Sequence, residues 1–232
     1  MKNTLISCNS ISASYDGVNV LKDLSFSVNE RDYLCIVGEN GSGKSTLIKC
    51  LLGIKQVDSG EIKMADGLKQ TDIGYLPQQT VLQKGFPATV NEVVLSGCLN
   101  SRGLHPFFTA KERKKAYESM EKLGILDLKS RSYRELSGGQ QQRVLLARAF
   151  CAAKKLILLD EPVTALDPIA SAELYSVIFE LNEKYGIAVI MVSHDIKNSV
   201  ISASHVLHLR KNGYFFGTAS EYAVSDFKSR FI

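Results

Sequence analysis

The residues GENGSGKS, 38–45, fill every defined position of G-x-x-x-x-G-K-[ST]. That spacing builds a phosphate cradle. Gly38, Gly41 and Gly43 let backbone N–H groups wrap an anion, and a helix starting directly behind them adds the positive end of its dipole. Lys44 can then reach β- and γ-phosphates, and the Ser45 hydroxyl can hold Mg2+. In LILLDEP, 156–162, apolar residues bury a strand and deliver Asp160 to its carboxyl end, where open α/β sheets bind ligands. Asp160 would hold the metal shell, and Glu161 beside it could polarise an attacking water.

His194 directly follows the apolar run IAVIMVS, 187–193, so it stands at another strand end. A lone histidine is more often a structural hydrogen-bonder, but its position beside two other site strands favours a γ-phosphate contact. LSGGQQQR, 136–143, is a second helix start suited to an anion: Ser137 and Gln140 make an S-x-x-Q capping box, and Gly138 and Gly139 allow close approach to the backbone. Pattern alone leaves Gln78 a solvated loop residue and Tyr15 a packing aromatic. His205 and His208 are three apart on an expected strand, face opposite sides and cannot share a metal. His105, in GLHPFF, fits partner contact and local packing equally.

These residues need a sheet to present them. Residues 1–37 read as strands with an Asp16-Gly17 turn, and YLCIVG, 33–38, as a buried strand feeding a helix over KSTLIKCLLG that Gly53 stops. Residues 57–75 read as further strands, making the first third a mixed sheet. After a polar loop at 77–90, residues 89–153 turn helical, with capping boxes at Thr89…Glu92 and Thr109…Glu112. Asp167 as N-cap, Pro168 at the first helical position and Gly186 behind the last turn bracket a crossover helix between LILLD and IAVIMVS. HVLHLRKNGYFFGT reads as a hairpin turning at Asn212-Gly213. The expected division is a core of 1–88 and 154–232 with a helical insertion at 89–153.

With 232 residues and 45% hydrophobic content, the chain can bury a sizeable core. Its net charge of +4 forms no long basic stripe and gives no ground for nucleic-acid binding. The densest cluster, Lys111 to Lys115, reads as a solvated helix face. Five cysteines without a C-x-x-C pair read as small buried hydrophobes of a reduced protein. No apolar run approaches the ~20 residues that span a bilayer.

With these pieces in this order, the chain resembles an ATP-binding cassette (ABC) transporter ATPase subunit over nearly its whole length. GENGSGKS corresponds to Walker A, YLPQ (75–78) to the Q-loop, LSGGQQQR to the signature, LILLDEP to Walker B, ALD (165–167) to the D-loop and SHD (193–195) to the H-loop. The resemblance implies an α/β fold of the P-loop NTPase (RecA-like) kind: a mixed sheet core, an antiparallel β subdomain and an inserted α-helical subdomain. It implies that Tyr15 stacks on the adenine of ATP and that Gly38, Asn40, Gly41, Ser42, Gly43, Lys44, Ser45 and Thr46 hold its phosphates. Ser137, Gly138, Gly139 and Gln140 would cap the nucleotide of a partner head. Ser45, Gln78 and Asp160 would hold Mg2+, with Glu161, His194, Lys44 and Gln78 acting in catalysis and Asp167 at the subunit interface. Thr164 stands where many relatives have serine.

The implied partners are a second ATPase subunit in a homodimer closed by ATP, an integral membrane permease, and a solute-binding protein reached through the permease, with no nucleic acid. The implied location is peripheral, on the cytoplasmic face of the cell membrane. A free-standing ATPase chain resembles importers, and FPATVNEVVLSG (86–97), LSGGQQQRVLLARA, MVSHDI and FFGTASEY resemble the ATPases of zinc and manganese uptake systems. The alternatives are an importer of another solute and an export ATPase for lipoprotein or peptide. A chromosome-maintenance ATPase would need a long coiled coil between Lys44 and Ser137, which are 93 positions apart with no heptad run. A non-hydrolysing sensor would lack Glu161.

Overall fold

In the computed structural model of the chain, residues 3–15, 17–78, 87–101, 107–164 and 166–229 are described. Strands β1 (Thr4–Tyr15) and β2 (Val18–Asn29) alternate buried and exposed side chains and pair antiparallel. Strand β4 (Ser59–Met64) joins the other side of β1, giving the order β2-β1-β4. Gly17 takes φ +79 in the β1–β2 turn, while Asp16 lies outside the described residues.

The second sheet contains β3 (Tyr33–Gly38), β5 (Ile73–Leu76), β6 (Leu156–Asp160), β7 (Ala188–Val192), β8 (His205–Arg210) and β9 (Gly213–Thr218). Their order is β5-β6-β7-β3-β8-β9, parallel except for the β8–β9 hairpin. The mixed sheet read from pattern for the first third divides in two, as the resemblance implies: β1, β2 and β4 form the antiparallel subdomain, while β3 and β5 belong to the mixed core sheet. The physical reason is burial. All six residues of β3 are buried, which requires cover on both faces, whereas β1 and β2 leave one face to solvent.

That cover comes from two cores. Leu34 and Ile36 face β1, β2 and helix α1 (Lys44–Leu51) through Leu47, Ile48 and Leu51. Tyr33, Cys35 and Val37 face the other way, towards α2 (Val90–Leu95), α3 (Ala110–Lys122), α4 (Gly138–Ala152) and α5 (Pro168–Glu183). One apolar core thus runs without interruption from the sheet into the helical block. Each leucine in it contributes about 1.5–3 kcal/mol by burial. Helix α4 lies so close to β5 that a Cβ on Gly74 would come 2.0 Å from the Ala149 carbonyl oxygen, so Gly74→Ala would force helix and strand apart. Short helices α6 (Ile196–Ile201), α7 (Ala219–Ala223) and α8 (Asp226–Ser229) complete the described chain.

The capping boxes at Thr89, Thr109 and Ser137 form as expected, and a fourth opens α7 at Thr218. Asp167 caps α5 through the Ala170 N–H, with Pro168 as first residue. Lys111 to Lys115 lie on α3 with exposed lysines. His205 stacks on Phe216 and His208 bonds Tyr222 on the opposite face. All five cysteines are buried thiols, and Cys98 and Cys151 approach to 3.3 Å between sulfurs, a proximity that their spacing does not encode. His105, Phe86 and Ala165 lie outside the described residues. Among the described residues no helix is long and apolar enough to cross a membrane.

Candidate active site

Four neighbouring parallel strands end at one edge of the sheet, and each hands a functional segment to it. Gln78 follows β5, Asp160 and Glu161 end β6, His194 follows β7, and the glycine loop follows β3. Parallel pairing in register makes this convergence geometric, because Asp160 is level with Val192 and Ile36 is level with the same residue.

Glycine is required in the loop for two physical reasons. Gly43 caps α1 at φ +102, and its Cβ would meet Leu21 at 2.8 Å. A Cβ on Gly38 would lie 2.3 Å from the Leu209 carbonyl oxygen. Lys44 Nζ folds back over the loop, donating to the carbonyls of Gly38 (2.7 Å) and Glu39 (2.9 Å). Asn40 and Gly41 are exposed at the crest, and Ser42 Oγ is buried beneath it with no hydrogen-bond partner among the described residues. Ser45 and Thr46 lie in the first turn of α1, whose N–H groups have no intrahelical acceptor.

Glu161 is the hub. It adopts φ +52, a conformation that costs a non-glycine residue about 1 kcal/mol or more, and its N–H extends the ladder to the Val192 carbonyl. The carboxylate accepts from Gln78 Nε2 (2.9 Å) and Thr164 Oγ1 (3.2 Å) and pairs with His194 Nε2 at 2.5 Å. Of the expected site residues, Lys44, Gln78, Asp160, Glu161 and His194 therefore share one centre. Pattern reading had left Gln78 in solvent; the end of β5 brings it to Glu161.

Charge in this centre is under-compensated in both directions. Burial pushes the Lys44 ammonium below its ordinary pKa, opposed by Glu161 and Asp160. Burial, with Glu161 alongside, pushes Asp160 above the usual carboxylate range, opposed by the Tyr75 hydroxyl, Lys44 and His194. The lysine would gain from an added anion and the aspartate from an added cation. Ser45, Gln78 and Asp160 offer a hydroxyl, an amide oxygen and a carboxylate, the hard-oxygen set that suits Mg2+. No group of three His, Cys, Asp or Glu among the described residues could hold a metal by itself. Such an ion fits here only if phosphate oxygens complete its shell.

Ser137 to Gln140 lie elsewhere. Gln140 N donates to Ser137 Oγ and Ser137 N donates to Gln140 Oε1, closing the capping box. With Gly138, Gly139, Asp167 and Ala170 they line a cleft of about 460 Å3 that contains no residue of the glycine loop. Tyr15 stands at the end of β1, 52% exposed, with Lys49 Nζ 5.4 Å from its ring centroid.

Three residues in or beside the quoted motifs make contacts that the motifs do not announce. The Tyr75 hydroxyl lies beside Asp160 and favours its ionised form, and Thr164 Oγ1 donates to Glu161. Gln142 on α4 is buried and donates to the Pro162 carbonyl at 2.5 Å, tying the signature helix to the residue after Glu161. All three join segments distant in sequence or turned by the loop, so only the fold creates them.

The ABC transporter family model matches residues 21–164. The chain is 34% identical over 226 residues to the zinc uptake system ATP-binding protein ZurA of Listeria innocua, covering 95% of this chain and 88% of that protein. It superposes on a metal-chelate type ABC transporter, solved in an inward-facing conformation, with TM-score 0.85 and 31% identity, over 94% of this chain and 85% of that one. A dimeric ATP-binding cassette bound to ADP and phosphate matches with TM-score 0.74 and 25% identity, over 93% and 99%.

Proposed function

The chain belongs to the ABC transporter family, and from that premise we propose that it is the ATP-hydrolysing subunit driving uptake of a divalent metal ion, zinc or manganese. The observation carrying the ATPase reading is the convergence of Lys44, Gln78, Glu161 and His194 at one sheet edge. The metal reading draws on the ZurA relative, a zinc uptake protein, and on the metal-chelate type transporter.

In this mechanism the glycine loop and the first turn of α1 wrap the phosphates, and Lys44 exchanges its loop carbonyls for β- and γ-oxygens. Ser45, Gln78 and Asp160 hold Mg2+, which when bound neutralises charge on the phosphates. Glu161 accepts a proton from a water as that water's oxygen bonds to the γ-phosphorus and the bond to the β-phosphate oxygen breaks. His194 and Gln78, bonded to Glu161, orient its carboxylate, with His194 contacting the γ-phosphate and Gln78 sensing the Mg2+. Tyr15 supplies a stacking face for adenine. Ser137 to Gln140 cap the nucleotide of a second copy, as support from the dimeric ADP-bound relative suggests. Two heads close on two ATP molecules and part after hydrolysis, and the helical block of 89–153 passes the motion to a membrane permease fed by a solute-binding protein. This assigns the chain to the cytoplasmic membrane face.

The test measures uptake of labelled zinc and manganese by cells whose chain carries Lys44→Ala. Loss of uptake of one metal is expected. Wild-type uptake of both, with ATP hydrolysis abolished, would overturn the metal reading and favour an ABC system for another solute.

A further inference from the structure

The segment that ends at Tyr15 is held by a residue outside every motif. Asp58 precedes β4, and its N–H donates to the Ser12 carbonyl at 2.8 Å, starting the β1–β4 ladder. Its carboxylate then takes over where the ladder ends: Asp58 Oδ2 accepts the Ser14 N–H at 2.6 Å and the Ser14 hydroxyl at 2.5 Å. Ser14 and Tyr15 pair with Asn19 and Val18 of β2, and on the other side the Asp58 side chain stands in for the β4 partner that Ser14 lacks. These bonds hold the Asp58 carboxyl below the usual carboxylate range, so the acceptor is ionised at neutral pH. Lys49 of α1 puts its ammonium over the Tyr15 ring at 5.4 Å, the geometry of a cation–π contact. Lys49 follows the phosphate-loop helix start by one turn, so this contact links the ring to the helix that begins at Lys44. The ring keeps 52% of its surface exposed.

We propose that Asp58 is a positioning residue for adenine recognition, holding Tyr15 through Ser14 so that the ring face not covered by Lys49 meets the base. The inference rests on the stacking role given to Tyr15 above. Its consequence is affinity: a loosened ring still leaves the nucleotide phosphates in the glycine loop but weakens the stacking contact with the base.

The chain contains no tryptophan, so Tyr15→Trp creates a single fluorescent reporter at the ring position. In that background ATP quenches the emission, and adding Asp58→Ala lowers both quenching and anisotropy. With Tyr15 intact, Asp58→Ala raises KM for ATP about three- to tenfold, as expected for loss of hydrogen bonds to an ionised acceptor. The kcat stays within about twofold, since the phosphates still bind at the loop. Asp58→Asn, whose amide oxygen still accepts the Ser14 N–H, brings KM most of the way back, and KM for GTP, whose base offers a like stacking face, rises by a similar factor in Asp58→Ala. If Asp58→Ala does not fold, Ser14→Ala removes one of the two bonds and carries the same test with a smaller shift.

An Asp58→Ala enzyme with wild-type KM overturns the inference when Tyr15→Ala raises KM. So does a fall in kcat with KM unchanged, which marks a general structural role. If Tyr15→Ala itself keeps wild-type KM, the stacking role fails and this inference fails with it.

Discussion

Replacing Glu161 by glutamine removes one charge and the proton acceptor while preserving shape. The carboxylate accepts from Gln78 Nε2, His194 Nε2 and Thr164 Oγ1. A glutamine offers one accepting oxygen and turns an NH2 donor towards this ring of donors, so at least one of the three contacts must be lost or reversed. Loss of a general base costs about 10²- to 10⁴-fold in rate, or about 3–5 kcal/mol of barrier. Ground-state binding moves the other way or not at all. Asp160 loses the like charge that raises its pKa, and Lys44 still reaches the phosphates. Single-turnover release of phosphate from labelled ATP should therefore fall by at least about a hundredfold. ATP affinity should stay within about threefold, and light scattering should find a dimer that persists with ATP. Wild-type protein should be mostly monomeric without nucleotide. Turnover of Glu161→Gln within tenfold of wild type would refute the role assigned to the carboxylate.

Gly139→Leu should leave ATP binding by one chain intact but abolish ATP-dependent dimerisation, because even a Cβ there lies 3.3 Å from that of Ala170 across the cleft; a stable dimer by sedimentation would contradict the assignment of that cleft to a partner's nucleotide. Burial pushes His208 down to about 4, helped by the charges of Arg210 and Lys44, against 6.5 for the free side chain. The unfolded chain therefore binds a proton at His208 that the folded chain refuses. Stability at this group is full above about pH 6.5 and falls as the pH drops towards 4, by up to about 3 kcal/mol. Urea unfolding between pH 7.5 and 4.5 should show this acid limb, and His208→Phe should flatten it whatever its effect at neutral pH; an unchanged slope would remove His208 as the cause.

Much of this protein is written locally. The glycine spacing at 38–43 and the capping pairs at 89, 109 and 137 depend on contacts within a few residues, so the sequence alone specified the cradle, the helix starts and the Pro168 crossover. Fully apolar runs announced strands covered on both faces, and the motif order announced the family. The partition of the first strands between two sheets was legible only through the family resemblance and not in the strand pattern, because pairing partners are chosen by register and burial across the whole chain. Nor was the ring of donors around Glu161. Gln78 and Glu161 are 83 residues apart, and only the adjacency of β5 and β6 brings them within a hydrogen bond. The same holds for Asp58, an ordinary acid before a strand until that strand lies beside Ser14. Sequence determines which groups are available and how each local turn is built; the tertiary structure decides which groups meet, because the packing of strands fixes distances that chain separation does not.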